Sequence, residues 1–170
     1  MNHYLSAVLG AFLLVAPHMS SAQQPPPAGC SEKSAEFDFW IGKWNVTENG
    51  KPAGFNHVER ILDGCALLEN WSGAQGSSGK SLNFYDREDG LWHQTWIDRS
   101  GGALFLSGRF ANGAMRLEGD RPATAKQPAM HHRITWTPLP GGKVRQLWES
   151  TPAGKQQWTV QFDGLYEPAK

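Results

Sequence analysis

The residues best suited to chemistry lie in short segments where tryptophan alternates with side chains that form hydrogen bonds. Gln94 lies between Trp92 and Trp96, and Gln146 is two residues before Trp148. In an extended strand, residues two apart share one face, so each segment presents an aromatic ring beside an amide. Such a face suits a cavity that stacks on a flat or apolar ligand and orients it through a few polar groups.

Two further segments add a carboxylate and a second amide to this predicted face. Glu69 alternates with Trp71, and Asn83 alternates with Tyr85. We therefore predict one ligand-binding set: Glu69, Trp71, Asn83, Tyr85, Trp92, Gln94, Trp96, Gln146 and Trp148. The alternative is a packed core, in which the tryptophans fill the interior and the polar side chains face water.

Glu69 is the one residue of this set that suggests proton transfer. It follows the apolar run 66–68 and precedes Trp71 by two residues. If it faces inward, desolvation raises its pKa and suits it to act as a general acid or base. The alternative is a structural glutamate bonded to Gln94 or to an arginine. Apart from Glu69 the sequence provides no candidate catalytic residue, and binding is favoured over catalysis.

The histidines do not show the spacing of a metal site. After residue 22 they are His57, His93, His131 and His132, without an HxH or HExxH pattern. Adjacent residues of a strand point to opposite faces, so His131 and His132 would not share a ligand. We predict no metal and no cofactor, with a single axial haem histidine as the remaining alternative.

Charge and composition exclude several classes of protein. Sixteen Lys and Arg balance sixteen Asp and Glu, and no basic run is present. This argues against nucleic acid as a partner and against a polybasic membrane-surface protein. With 39% hydrophobic residues the chain is too apolar to stay disordered, and its 170 residues suit one domain.

The first residues resemble an export signal. Leu5–Ala16 is a 12-residue apolar stretch, too short to cross a bilayer, and Ser20-Ser21-Ala22 carries small residues at a cleavage site. We predict a signal peptide over 1–22 with cleavage after Ala22, a flexible leader over 23–33, and one domain over 34–170. The expected location is periplasmic or secreted, with no membrane span. In such an oxidising compartment, Cys30 and Cys65 are expected to form a disulfide.

The remaining chain is typical of a series of β-hairpins. Turn signals such as Asn49-Gly50 and Asn112-Gly113 recur, with most gaps of about 10–14 residues. The one helical candidate is a short turn over Ser34–Ile41, with Ser34 as its cap. In the last hairpin, alternation groups Trp158 and Val160 with Phe162 and Tyr166. We predict an all-β fold, a single antiparallel up-and-down barrel of about 8–10 strands.

A family resemblance supports this architecture. Gly42-Lys43-Trp44 resembles the G-x-W signature of lipocalins and other calycin barrels, which implies that Trp44 plugs the closed end. A wider set of segments is similar to an exported bacterial family, domain-of-unknown-function family 1579: 37–44, Gly64-Cys65, Glu69–Trp71, Trp92–Trp96 and Trp136–Pro138. The resemblance implies a lipocalin-like barrel in an exported protein and supplies no activity.

Three functions remain open at this point. The leading hypothesis is an exported protein whose tryptophan-rich barrel cavity binds a small apolar or aromatic molecule. The second is an enzyme, an isomerase, cyclase or hydrolase, that uses Glu69 in the same cavity. The third is a structural or interaction module with a filled barrel.

Overall fold

The computed structural model describes residues 29–125 and 127–170, which form a closed barrel of ten antiparallel strands in sequence order. Each strand pairs with its neighbours along the chain, and the first pairs with the last. The strands are β1 Gly42–Glu48, β2 Lys51–Ile61, β3 Ala66–Gly73, β4 Ser78–Asp86, β5 Leu91–Asp98, β6 Ala103–Ala111, β7 Ala114–Arg121, β8 Met130–Leu139, β9 Lys143–Pro152 and β10 Thr159–Pro168. The predicted all-β up-and-down barrel is confirmed.

The predicted export segments fall mainly outside this description. The signal peptide over 1–22 and residues 23–28 of the leader lie outside the described residues. Within the described ranges, no helix has both the length and the apolar character needed to cross a membrane.

Two tight hairpins depend on asparagine-glycine pairs. Asn49 and Gly50 join β1 to β2 with φ angles of 50° and 73°, and Asn112 and Gly113 join β6 to β7 with 52° and 77°. Positive φ at both central residues gives a turn whose twist matches that of the paired strands. These turns therefore favour direct antiparallel pairing of consecutive strands.

The N-terminal helical turn is two 3-10 helices, Glu32–Ala35 and Asp38–Trp40, and a third covers Leu62–Gly64. The first begins earlier than predicted. Ser31, in extended conformation, caps it by accepting a hydrogen bond from the Lys33 backbone N–H at 3.3 Å. The expected cap, Ser34, is instead buried inside the helix.

A disulfide and an ion pair attach these helices to the barrel. Cys30 and Cys65 are bonded, as predicted, and join the start of the described chain to the residue before β3. The Asp38 carboxylate lies 2.5 Å from the Arg60 guanidinium near the end of β2. The helices are thereby held across one end of the barrel.

Aromatic packing fills that end, which we call the closed end. Phe37 lies at its centre: its ring stacks on Trp40 at 4.9 Å and meets the rings of Trp92 and Trp136 at 5.5 and 5.2 Å. Trp44 is also buried, and its indole N–H donates to the Trp40 carbonyl at 2.9 Å. The closed end is a packed core, consistent with the plugging role expected of Trp44.

A bulge in β10 changes one predicted face. The register with β9 shifts between Val160 and Phe162, so strict alternation breaks there. Phe162 and Tyr166 remain interior, whereas Val160 is exposed. Trp158 packs on the outside of the barrel, where its ring centroid lies 3.8 Å from the guanidinium carbon of Arg133. The predicted grouping of all four residues on one side was therefore wrong.

Candidate ligand-binding cavity

A cavity of about 530 Å³ occupies the barrel interior away from the closed end. Its mouth includes Asn49 of the turn between β1 and β2, Lys51 at the start of β2, and the turn between β3 and β4, with Gln75 and Ser77. Leu104 and Ile134 also line it. The volume lies within the range of small-molecule sites.

The cavity has two layers of side chains that follow from strand alternation. On β3, β5 and β9 a polar residue is followed, two residues nearer the mouth, by a tryptophan. On β10, Tyr166 lies deeper than Phe162. We call the outer set the aromatic layer, Trp71, Trp96, Trp148 and Phe162, and the inner set the polar layer, Glu69, Gln94, Gln146 and Tyr166. Each ring in the aromatic layer thus lies above a hydrogen-bonding group.

Glycines make room for three rings of the aromatic layer. A Cβ at Gly79 would lie 2.3 Å from the Trp96 ring, and one at Gly164 would lie 2.4 Å from the Phe162 ring. A Cβ at Gly54 would lie 2.7 Å from the Trp71 ring. A methyl group at these positions would displace the rings. The missing side chains therefore let the rings lie close to the barrel backbone.

A hydrogen-bond network ends at the Glu69 carboxylate. Asn56 donates to Glu69 Oε1 at 2.8 Å, and the Ser81 hydroxyl donates to Oε2 at 2.6 Å. Asn83 donates to Ser81 Oγ at 2.8 Å, and Gln94 donates to Asn83 Oδ1 at 2.8 Å. Every donor in this series points toward Glu69, which is the arrangement that stabilises an ionised carboxylate.

Burial has the opposite effect on Glu69 and is the stronger one. The side chain is 4% exposed, and desolvation raises its pKa to about 7, against the hydrogen bonds from Ser81 and Asn56 that lower it. A carboxyl group with this pKa gains and loses its proton near neutral pH. Glu69 is therefore a charge-switching group on the cavity wall.

A second polar pair on the cavity wall lies on β9 and β10. The Tyr166 hydroxyl donates to Gln146 Oε1, and burial raises the pKa of Tyr166 well above its ordinary value. The Gln146 amide N–H₂ has no hydrogen-bond partner among the described residues. This pair therefore offers the cavity one amide donor.

One ring of the aromatic layer is fixed by a histidine. The Trp148 indole N–H donates to His132 Nδ1 at 3.1 Å. His132 is buried on β8, and burial lowers its pKa, which favours the neutral form that can accept this bond. The neighbouring His131 points outward to Glu118 and Asp120, so the two histidines face opposite sides, as expected.

Six of the nine predicted binding residues line the cavity: Glu69, Trp71, Gln94, Trp96, Gln146 and Trp148. Asn83 is fully buried behind them and is linked to the cavity wall through its hydrogen bonds with Gln94 and Ser81. Tyr85 and Trp92 lie at the closed end, where Trp92 packs on Phe37 and on Tyr85. These three do not contact the cavity because the register places them nearer the helices that close the barrel.

Several cavity residues were not predicted. Phe162 and Tyr166 have no polar residue two positions away on their own strand, which was the pattern that identified the other cavity residues. Leu104 and Ile134 were not distinguishable from ordinary core residues. Asn56 was missed because its partner, Glu69, is thirteen residues away on the adjacent strand. Only the strand register brings these residues together.

One group with the spacing of metal ligands lies at the turn between β4 and β5. Asp86, Asp89 and His93 place carboxylate and imidazole atoms within 4.8 Å of one another, away from the cavity. The carboxylates make the hydrogen bonds of the turn itself, to the backbone N–H groups of Glu88 and Leu91, and Asp89 contacts His93 at 2.8 Å. These hydrogen bonds within the turn explain why the three side chains lie close together.

Comparison with known proteins does not identify the chain. No protein-family model matches it, and no curated protein shows significant similarity to it.

Proposed function

We propose that this protein binds a small apolar or aromatic molecule inside its barrel. The observation that carries the proposal is the layered cavity of about 530 Å³, with its aromatic layer above its polar layer. Cavities of this size commonly enclose most of the surface of a small ligand, with apolar walls for affinity and a few polar groups for orientation.

The positions of the rings support binding without large rearrangement. Trp148 is held by His132, and Phe162 meets the Trp71 ring edge-on at 6.0 Å between centroids. Rings that are already ordered lose little conformational freedom when a ligand arrives. The interaction-module alternative required a filled barrel, whereas a cavity of about 530 Å³ lies inside the barrel beyond the packed closed end.

Glu69 supports a second candidate function. A carboxyl group whose pKa is about 7, on the wall of a cavity, has the properties of a general acid or base. An isomerase, cyclase or hydrolase that uses Glu69 would lose turnover in Glu69→Gln while still binding its substrate. Binding by the variant with no turnover of any bound ligand by the wild type would count against catalysis.

We also propose that the protein is exported and related to the lipocalin-like family named above. The Cys30–Cys65 disulfide supports an oxidising compartment. The signal-like segment supports the same location.

Binding can be tested with N-phenyl-1-naphthylamine, a neutral dye that fluoresces in apolar sites. Leu104→Trp would fill the cavity, whereas Ile97→Trp adds a ring to an exposed position on the neighbouring strand and serves as the matched control. We expect saturable binding by the wild type and by Ile97→Trp, and weak binding by Leu104→Trp. Absence of binding by the folded wild type, or equal binding by both variants, would overturn the proposal.

A further inference from the structure

The polar atoms that remain for a ligand are mainly acceptors. A carboxylate has about four lone-pair sites, and Asn56 and Ser81 occupy two of those on Glu69. Gln94 uses its amide N–H₂ on Asn83 and Ser81, and its Oε1 has no partner among the described residues. On this side of the cavity, a ligand therefore meets a carboxylate and an amide oxygen.

The charged residues around the cavity also favour a ligand that donates hydrogen bonds over a ligand that carries negative charge. Among the described lining residues the one basic side chain is Lys51, which is exposed at the mouth. Glu48 is also at the mouth, where its Oε1 accepts the Asp163 backbone N–H at 3.0 Å. The polar layer contains Glu69 and no cation. A ligand carboxylate placed there would face like charge without a cationic partner.

The aromatic layer suits a cation that has lost water. Trp71, Trp96 and Trp148 surround the path from the mouth to Glu69. The faces of tryptophan rings carry negative electrostatic potential and attract ammonium groups, most strongly where water is excluded. The same rings provide apolar contact for the rest of the ligand.

We propose that the cavity selects ligands that carry a protonated amine on an aromatic or apolar body, with the amine at Glu69 and Gln94 and the body in the aromatic layer. This inference rests on the proposed binding function and specifies its ligand class. A protonated amine has up to three donors and no acceptor, which complements the leftover acceptors of the polar layer.

The proposal predicts that the affinity for the amine depends on pH. The titratable group that faces Glu69 from another strand is Tyr166 on β10, and its raised pKa keeps it neutral near pH 7. The other contacts of Glu69, Asn56 on β2 and Ser81 on β4, do not titrate. Ionisation of Glu69 therefore sets the charge of the polar layer, and acidification removes the partner of the amine.

The test compares three naphthalene compounds of similar size by calorimetry at about pH 8, where Glu69 is ionised: 2-naphthylmethylamine, which is protonated, 2-naphthylmethanol and 2-naphthoate. We expect the amine to bind at least about tenfold more tightly than the alcohol, the range of a charge-assisted hydrogen bond, with the carboxylate weakest. Equal or tighter binding of the alcohol or the carboxylate would overturn the selectivity while leaving the proposed function intact. If none of the three compounds nor the neutral dye binds, the proposed function fails.

Variants assign the selectivity to Glu69. Glu69→Gln should remove the amine's advantage and keep alcohol binding, whereas Glu88→Gln, at an exposed turn position that does not line the cavity, should retain the advantage. If Glu69→Gln does not fold, the wild type provides the test: the ratio of amine to alcohol affinity should fall as pH is lowered through about 7. A ratio independent of pH would contradict a role for this carboxylate.

Discussion

The Ser81 hydroxyl donates a 2.6 Å hydrogen bond to the Glu69 carboxylate inside the barrel. The bond joins β4 to β3 at directly paired positions, between the packed closed end and the cavity. An ionisable group is thus held by neutral partners at a depth where water is scarce. The behaviour of Glu69 with pH should therefore affect both folding and binding.

Stability should fall as pH rises through the titration range of Glu69. Its pKa is raised from 4.5 to about 7 in the folded protein, so the folded state holds the proton more tightly than the unfolded state. The stabilisation is complete below the unfolded pKa and is lost by about pH 7. Glu69→Gln removes this titration, so its stability relative to wild type should rise by about 2–3 kcal/mol between about pH 5 and about pH 8.

Chemical denaturation at several pH values measures this difference. Glu88→Gln, at an exposed turn position, is the control and should show a constant difference from wild type. A constant difference for Glu69→Gln as well would contradict the raised pKa.

The disulfide should contribute a large part of the stability. Cys30 and Cys65 enclose a loop of 36 residues, so Cys30→Ser/Cys65→Ser should lower the free energy of unfolding by about 3–4 kcal/mol. Denaturation of the wild type with and without reductant provides a second measurement. Reductant should not affect the double serine variant. A loss below about 1 kcal/mol would mean that the helices at the closed end are held by other contacts.

Gly164 should control the space available to a ligand. Its Cβ would lie 2.4 Å from the Phe162 ring, so Gly164→Ala should push that ring toward the cavity and weaken dye binding by about tenfold. Gly164→Ala/Phe162→Leu removes the ring that clashes and should recover part of the affinity. Fluorescence titration of the four proteins in this cycle measures the coupling. Additive effects would show that Phe162 does not transmit the change.

The Trp148–His132 hydrogen bond should couple the two residues energetically. His132→Leu leaves the Trp148 indole N–H without its acceptor and should destabilise the fold by about 1–3 kcal/mol. In the background of Trp148→Phe, which has no indole N–H, the same change should be less harmful. A double-mutant cycle should give a coupling of about 1 kcal/mol. Zero coupling would mean that the bond does not hold the ring.

Local patterns of the sequence predicted the fold and much of the cavity. Asn49-Gly50 fixes a hairpin through its own backbone preferences, and the alternation of Gln94 with Trp96 predicts that they share a face. Such signals arise within a few residues. They depend little on the rest of the chain.

The features that were not predicted depend on the register between strands and on the depth of each residue along the barrel. Trp92 and Trp96 share a face, yet the first lies in the packed closed end and the second lines the cavity. The contact between Tyr166 and Gln146 joins residues twenty positions apart. Val160 faces outward because of a bulge that its neighbours in sequence do not indicate.

The most direct test of the central claim is the position of a bound ligand, measured by isotope-filtered NOE spectroscopy of the protein with N-phenyl-1-naphthylamine. Binding in the cavity predicts intermolecular NOEs from the dye to the indole rings of Trp71, Trp96 and Trp148. Trp158, which packs on the outside of the barrel, should show none. Saturable binding with NOEs to Trp158 and none to the aromatic layer would contradict the proposal.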